Sequence, residues 1–359
     1  MKASFEKYIG NKDLSLIEAM KKIDSNARRI LYIVDDGGTL LGCVSDGDIR
    51  RWIIRTCNLQ SSVSEIMNRK LRYLTEEECG GQKEASDYMK KQKIDSLPVV
   101  NNEKKLVRIY FLEKKEDSRR TGESSGIPVI IMAGGKGTRL YPYTRILPKP
   151  LIPIGDVPIL ERIINSYYSQ GFDEFYITVN YKKEMIKYYF NDLNPPYTIH
   201  YIEEDKPLGT AGGIRLIREN FDTPVIVTNC DILIDADYQR MIRHHAESGN
   251  VLTVAASLKN QTIPYGVLHI KENGIVASAE EKPQLSYFIN TGMYVMDGSC
   301  KEKIPEDRFF HMTDLMAELM KEGKQVGIYP LSENSFLDMG QLEEMRHMED
   351  QLKKREQES

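Results

Sequence analysis

Long apolar runs are missing from this chain. No stretch approaches the roughly 18 residues needed to cross a bilayer as a helix. Cysteine is scarce as well. The five present, Cys43, Cys57, Cys79, Cys230 and Cys300, show no CxxC spacing. An odd, unpatterned set argues against a disulfide framework or a structural zinc site, and for a reducing compartment. There is no excess of positive charge: 49 Lys and Arg stand against 53 Asp and Glu, a net charge of −4. That balance gives no electrostatic reason to expect nucleic acid or an anionic membrane as partner. The opening residues, MKASFEKYIGNKDLSL, lack the apolar centre of a secretory leader. These absences together read as a cytoplasmic protein.

What remains is an ordinary globular composition, 41% hydrophobic over 359 residues, enough for two domains of unequal size. The segment EKKEDSRRTGESSG (Glu113 to Gly126) carries no apolar periodicity and reads as a linker. The expected division is a regulatory unit over 1–117, a linker over 118–126 and a catalytic domain over 127–359.

The first unit contains a weak internal repeat. YIVDDGGTLLGCVSDGDI (Tyr32 to Ile49) aligns with PVVNNEKKLVRIYFLEKK (Pro98 to Lys115), and each copy follows a helical stretch. Each half would leave a sheet face exposed, so the two should pack on each other. The pattern resembles a tandem pair of CBS domains, modules that often bind adenosine nucleotides and regulate an attached enzyme. The first copy carries the matching Gly42, Ser45 and Asp48, whereas the second has Arg108, Phe111 and Lys114. By the resemblance, Ser45 and Asp48 would hold an adenosine nucleotide, in at most one site per pair. The alternative is that both simply cap the helix that follows.

From Ile127 onward apolar strands alternate with amphipathic helices. IPVIIMA, FDEFYITVN, YTIHYIEE and TPVIVTNCDILI read as strands; ILERIINSYYSQ, KEMIKYYFND and GTAGGIRLIREN read as helices. Such alternation implies an α/β, mostly parallel sheet covered on both faces, with the ligand crevice beyond the strands' carboxyl ends. At the end of the first strand lies IIMAGGKGTRLYPYTRILPKP. It fits neither a Walker A loop, whose lysine follows the last glycine, nor a dinucleotide fingerprint, whose third glycine would fall at Leu140. It does offer bare backbone amides to a polyphosphate, with Arg139 to reach the phosphate oxygens. Prolines 142, 148 and 150 should keep the following arm extended and set Arg145 and Lys149 across a cleft.

This string resembles the sugar nucleotidyltransferase signature G-G-x-G-T-R-L-x-P-x-T-x-x-x-P-K-P, met from Gly134 to Pro150, and the resemblance extends to about residue 350. It implies a Rossmann-like, GT-A-like αβα domain joining an NTP to a sugar 1-phosphate. By this resemblance the nucleotide would lie on Ala133, Gly134, Gly135, Gly137, Thr138, Leu208, Gly209 and Thr210. Glu204, favoured over Glu203, would accept the N1–H and N2–H donors of guanine. The PLGTAG form of the second glycine segment tilts the base toward guanine, hence GTP. Asp231, in NCD where the family has N-G-D, and Asp338, in FLDMG, would hold Mg2+, a hard cation suited to oxygen ligands. Arg139, Lys149 and Lys282 would be the catalytic cations. Gly266, Glu281, Asn290 and Thr291 would contact the sugar.

Asp235 and Asp237 read as capping residues for YQRMIRHHAES. His244 and His245 read as solvated or partner-facing, and QLEEMRHMEDQLKKREQES as a charged terminal helix that frays. With the amino-terminal CBS pair, NCDILID and LGTAGG resemble the glucosamine-1-phosphate guanylyltransferases, which by that resemblance make GDP-glucosamine for legionaminic acid. Mannose 1-phosphate or a heptose 1-phosphate is the alternative, with CTP or UTP a further one. From another class, the alternative is a nucleotide sensor with a silent transferase domain. Both resemblances imply self-association.

Overall fold

The computed structural model describes residues 5–26, 28–112 and 124–358, with side chains as far as 353. Contacts divide the chain into two compact units, Met1–Glu116 and Asp117–Ser359. The expected linker, 118–126, lies outside the described residues up to position 123.

The first unit builds one motif twice. The first copy runs β1 (Ile9–Asn11), α1 (Leu16–Ser25), β2 (Ile30–Val34), β3 (Leu40–Ser45) and α2 (Asp46–Thr56). A single-turn helix, α3 (Val63–Ile66), leads to β4 (Leu74–Thr75), α4 (Gln82–Gln92), β5 (Ser96–Val100) and β6 (Leu106–Phe111). In each three-stranded sheet the first pair is parallel and the second antiparallel. Register breaks between Ile33 and Val34 in one copy and between Val99 and Val100 in the other, positions that the sequence repeat equates. The copies share a small core of Tyr32, Leu40 and Val100, and a 2.7 Å hydrogen bond joins the hydroxyls of Tyr32 and Ser96. Each half-sheet thus covers the other's apolar face.

Ser45 and Asp48 begin α2 as a reciprocal capping box. Ser45 Oγ accepts from the Asp48 amide at 3.2 Å, and Asp48 Oδ2 accepts from the Ser45 amide at 2.9 Å and from its hydroxyl at 2.6 Å. The other oxygen of Asp48 pairs with Arg51. Both side chains serve the helix start, as the capping alternative requires.

The second unit opens with β7 (Val129–Met132), a one-turn helix α5 (Tyr143–Ile146) and the two-residue strands β8 (Pro153–Ile154) and β9 (Val157–Pro158). Then follow α6 (Ile159–Tyr168), β10 (Glu174–Val179), α7 (Lys183–Leu193), β11 (Thr198–Glu203), β12 (Val225–Asn229), β13 (Ile232–Ile234) and α8 (Tyr238–Ser248). The chain ends with β14 (Leu252–Thr262), the hairpin β15 (Gly266–Ile270) and β16 (Val276–Glu281), β17 (Gln284–Met296), α9 (Met312–Lys321), β18 (Val326–Leu331), β19 (Phe336–Asp338) and α10 (Leu342–Glu358). Seven strands form one sheet in the order β11-β10-β7-β12-β17-β14-β18. Only β17 opposes the common direction.

Alternation along β7 explains its unbroken apolar run. Val129 and Ile131 enter the core on one face, Ile130 and Met132 the core on the other, so no position is left for a polar residue. Because β11, β10, β7 and β12 are parallel, their carboxyl ends share one edge of the sheet, where the crevice is expected.

Several readings need correction. GTAGGIRLIREN forms only a 3-10 turn at Gly212–Leu216, since three glycines weaken an α-helix. TPVIVTNCDILI is two strands, broken at Cys230 and Asp231, with β13 pairing β19 instead of the main sheet. Asp237 caps α8, accepting from the Arg240 amide at 2.8 Å. His245 is not solvated: it is 1% exposed and bonds Thr253 Oγ1 at 2.8 Å and Asp297 Oδ1 at 3.1 Å. Its neighbour His244 bonds the Ile328 carbonyl at 3.2 Å. The terminal helix does not hang free, because Met348 is fully buried in the main core with Met345 and Leu352 packed against it.

Candidate active site

The loop after β7 closes over its own glycines. Gly137 adopts φ +64°, and a Cβ there would lie 2.9 Å from Thr144 Cγ2 and 3.0 Å from Lys149 Cβ. Thr144 Oγ1 donates to the Gly137 carbonyl at 2.9 Å and ties the loop to α5. The prolines do not hold an extended arm. The segment folds into short turns, a 3-10 turn at Thr138–Leu140, α5, and a second 3-10 turn at Lys149–Leu151. Each proline sits where its missing amide costs nothing, at a turn's start or outside it. Lys149 reaches the cleft by this route, but Arg145 does not: its guanidinium lies over the Tyr141 ring, 5.4 Å from the centroid.

A cavity of about 360 Å3 opens at the shared edge of the sheet, bounded by Gly134, Gly135, Gly137, Thr138 and Arg139 from the first glycine loop. Lys149, Asn229, Cys230 and Asp231 close one end; Glu204 and Leu208–Thr210 line the other with Phe309 and His311. Ala133 does not line it; this residue anchors the strand end, its amide donating to the Thr178 carbonyl at 3.0 Å.

Lys149 and Asp231 meet within this cavity. Lys149 Nζ donates to Asp231 Oδ2, with side chains only 11% and 13% exposed. Arg139 is exposed and forms no ion pair among the described residues, so its charge is available to an anion. Burial and the neighbouring Asp231 charge push the Cys230 thiol up to about 12, which keeps it protonated and chemically quiet beside the carboxylate.

The two candidate base readers separate cleanly. Glu203 is exposed and bridges Lys183 and Lys187, which hold its carboxyl well below the usual carboxylate range. Glu204 is 4% exposed and faces the cavity, and burial raises its carboxyl. It accepts from the Leu208 amide at 3.3 Å. A Cβ on Gly134 would come within 3.1 Å of this carboxylate and one on Gly213 within 2.4 Å, so both glycine motifs make room for one acid. Gly209, at φ +82°, lets the loop pass the Phe310 carbonyl, 2.5 Å from where its Cβ would be.

Asp338 ends β19 directly opposite Ile232, and the Met339 amide donates to the Asp231 carbonyl at 2.9 Å. The two aspartates are therefore neighbours. Burial, then the charges of Asp231 and Glu344, push the Asp338 carboxyl up to about 6. Asp338 faces a second cavity of about 600 Å3, which Lys259, Glu333, Glu343, Glu344 and His347 also line.

The residues assigned to the sugar do not line the first cavity. Gly266 faces Glu281 across the β15–β16 ladder, and Glu281 and Lys282 are exposed at the hairpin's base. Asn290 donates to the Tyr294 hydroxyl and accepts from the Gly292 amide, both at 2.9 Å. Thr291 is buried and donates its hydroxyl to the Ala255 carbonyl at 2.7 Å; it serves the sheet rather than a ligand. Thr178, Asn229, Phe309 and His311 line the cavity without having been singled out. For Asn229 the signal was its place beside Asp231 in NCD, whereas nothing in RFFHMTD marks Phe309 or His311 as near a glycine loop a hundred residues away.

The residues that build this cavity all lie within a segment that a family model matches. The model described as "Nucleotidyl transferase" matches residues 128–355, and the CBS domain model matches residues 11–55. The chain belongs to the nucleotidyl transferase family. It is 33% identical over 214 residues to the UTP–glucose-1-phosphate uridylyltransferase of Synechocystis, covering 54% of this chain and 55% of that one. To the D-glycero-alpha-D-manno-heptose 1-phosphate guanylyltransferase of Campylobacter jejuni it is 31% identical, covering 61% of this chain and 96% of that one. The mannose-1-phosphate guanyltransferase of Debaryomyces hansenii is 30% identical, with 59% and 60% covered. The chain thus spans little more than half the length of some curated relatives and nearly all of others. Among solved structures, HddC from Yersinia pseudotuberculosis superposes with a TM-score of 0.50 at 27% identity, over 63% of this chain and 99% of that one. These relatives are named as sugar-1-phosphate guanylyl- and uridylyltransferases. Among the described residues no helix is long and apolar enough to cross a membrane.

Proposed function

We propose that this protein is a Mg2+-dependent sugar-1-phosphate guanylyltransferase that converts GTP and glucosamine 1-phosphate to GDP-glucosamine and pyrophosphate, for a nonulosonate such as legionaminic acid. The observation that carries the class of reaction is the cavity itself. Glu204, a buried acceptor, follows β11, and Asp231, paired with Lys149, follows β12, with β10 and β7 between them along the edge, a separation that suits the base and phosphates of a nucleoside triphosphate; Arg139 also lines the cavity.

A sugar phosphate is anionic at neutral pH, so attack of its oxygen on the α-phosphorus needs no general base. It needs alignment and charge neutralisation. As the new P–O bond forms, the bond from the α-phosphorus to the leaving pyrophosphate breaks. Arg139 and the amides of Gly134–Thr138 bind that leaving group, while Lys149 and, from the hairpin, Lys282 guide the incoming phosphate. The donor set suits a hard divalent cation: Asp231 and Asp338 are adjacent carboxylates, and burial, then the charges of Asp231 and Glu344, raise the Asp338 carboxyl. Bound by this pair, Mg2+ supplies charge neutralisation at the phosphate oxygens.

Support for guanine comes from Glu204, a carboxylate that can accept two donors side by side. An amino sugar is supported by the acidic lining beyond Asp338, where Glu333, Glu343 and Glu344 outnumber Lys259. A heptose 1-phosphate is the second reading, favoured by the 96% coverage of the Campylobacter relative. Adenosine nucleotide binding by the CBS pair would require Ser45 and Asp48 to contact it while capping α2. Pyrophosphate release from GTP with glucosamine, mannose, heptose and glucose 1-phosphates tests the reading. Highest kcat/KM with glucosamine 1-phosphate supports it, and a preference for another sugar, or for another nucleotide, replaces it.

A further inference from the structure

The segment Arg308–Met312 is stitched to the second glycine loop from several sides. The Phe310 amide donates to the Leu208 carbonyl at 2.9 Å, and the Phe310 carbonyl accepts from Ala211 at 2.9 Å and Gly212 at 3.2 Å. The Met312 amide donates to Thr210 Oγ1 at 3.0 Å. These bonds carry His311 to the Glu204 end of the cavity, which it lines.

Two contacts bear on the His311 tautomer. Nδ1 lies 3.3 Å from the Thr210 amide, which can only donate, and 3.3 Å from the Thr210 hydroxyl, which accepts from the Met312 amide and has its own proton to donate. A ring nitrogen that accepts carries no proton, so the ring proton sits on Nε2. No hydrogen bond to Nε2 forms among the described residues. The ring plane is held by Phe309, edge-on at 4.7 Å and 82°, and the backbone by the His311 amide donating to Asp314 Oδ2 at 2.8 Å. A fixed N–H donor therefore stands at the same end of the cavity as a buried carboxylate acceptor.

Resting on the reading that this cavity takes a nucleoside triphosphate, we infer that His311 is a specificity-determining residue, donating Nε2–H to a carbonyl on the nucleobase. The pairing of an acceptor and a donor complements an oxo base. Guanine offers N–H groups to Glu204 and O6 to His311, whereas adenine places an amino donor where O6 would be. Uracil differs from cytosine in the same way, so the rule is carbonyl over amino, whichever ring size the cavity accepts.

Two substitutions separate reading from anchoring. In His311→Asn the side-chain oxygen takes the place of Nδ1, so the Thr210 contact and the helix cap persist, but the Nε2 donor is gone. His311→Gln places an amide donor near the former Nε2. Equilibrium binding of GTP, ATP, UTP and CTP to the full chain is measured by calorimetry without sugar phosphate. Wild type is expected to prefer the carbonyl base within each pair, and His311→Asn to cut that preference by about tenfold or more. His311→Gln is expected to retain it within about threefold, all with unchanged melting temperature. An unchanged preference in His311→Asn, or a wild type that binds ATP and CTP at least as tightly, overturns the inference. Failure of pyrophosphate release would count against the proposed reaction only, because the binding comparison does not depend on turnover.

Discussion

Replacing Lys149 by alanine tests the electrostatic centre of the site. The lysine and Asp231 are nearly buried, with side chains 11% and 13% exposed. Removing one partner leaves the other charge desolvated and unpaired, a change that costs about 3 kcal/mol or more. In a domain of this size each kcal/mol shifts the melting point by about 2–4 °C, so a fall of about 6–12 °C is expected. The double variant Lys149→Ala/Asp231→Asn carries no orphaned charge and should recover much of that loss. Millimolar Mg2+ should also stabilise Lys149→Ala, because a cation at Asp231 replaces the missing ammonium. Differential scanning calorimetry on the three proteins, with and without Mg2+, measures all of this. A single variant that melts within about 1 °C of wild type would refute the argument. So would a double variant that melts no higher than the single one.

Other outcomes follow from the same geometry. Arg139→Ala should lower turnover by about two orders of magnitude or more without moving the melting point, since the exposed guanidinium stabilises only the leaving group; steady-state pyrophosphate release and calorimetry check both halves. Asp338, pushed up to about 6, should make Mg2+-dependent turnover fall as pH drops below about 6, with a midpoint that higher Mg2+ moves to lower pH because the metal competes with the proton. In the metal-free protein the sign for stability is opposite. Asp338 is more basic folded than unfolded, so its contribution is lost as pH rises from the ordinary carboxylate range through about 6; urea titrations across that window would show it. Gly209→Ala, at φ +82° and 2.5 Å from the Phe310 carbonyl, should displace the second glycine loop and raise KM for the nucleotide at least several-fold, leaving kcat less affected.

Much of the fold was legible because it rests on periodicity. The strands β7, β10 and β12 are mostly apolar, buried runs between amphipathic helices, and only a doubly covered parallel sheet buries both faces of such runs. The tandem repeat was legible too, and the register breaks of the two copies fall at positions that it equates. The stripe of α8 was readable and went unread: Tyr238, Met241, Ile242 and His245 lie at i, i+3, i+4 and i+7, so His245 belongs to the buried face. The glycines of GTAGGI misled for a physical reason. Their role is to let Glu204, Phe310 and Arg308 approach the backbone, and a sequence shows the small residues without the large ones that need the space. The Lys149–Asp231 pair and the seating of Phe309 and His311 depend on long-range pairing of distant loops, which local pattern does not carry.

Phosphorus NMR of a mixture of GTP, glucosamine 1-phosphate and Mg2+ addresses the central claim, that one cavity brings two anions together for attack at the α-phosphorus. The account predicts that the sugar-phosphate and GTP signals fall together as the two coupled resonances of a sugar diphosphate and the single resonance of free pyrophosphate rise. GTP that stays intact with every sugar 1-phosphate offered, or that decays to GDP and inorganic phosphate, would contradict it.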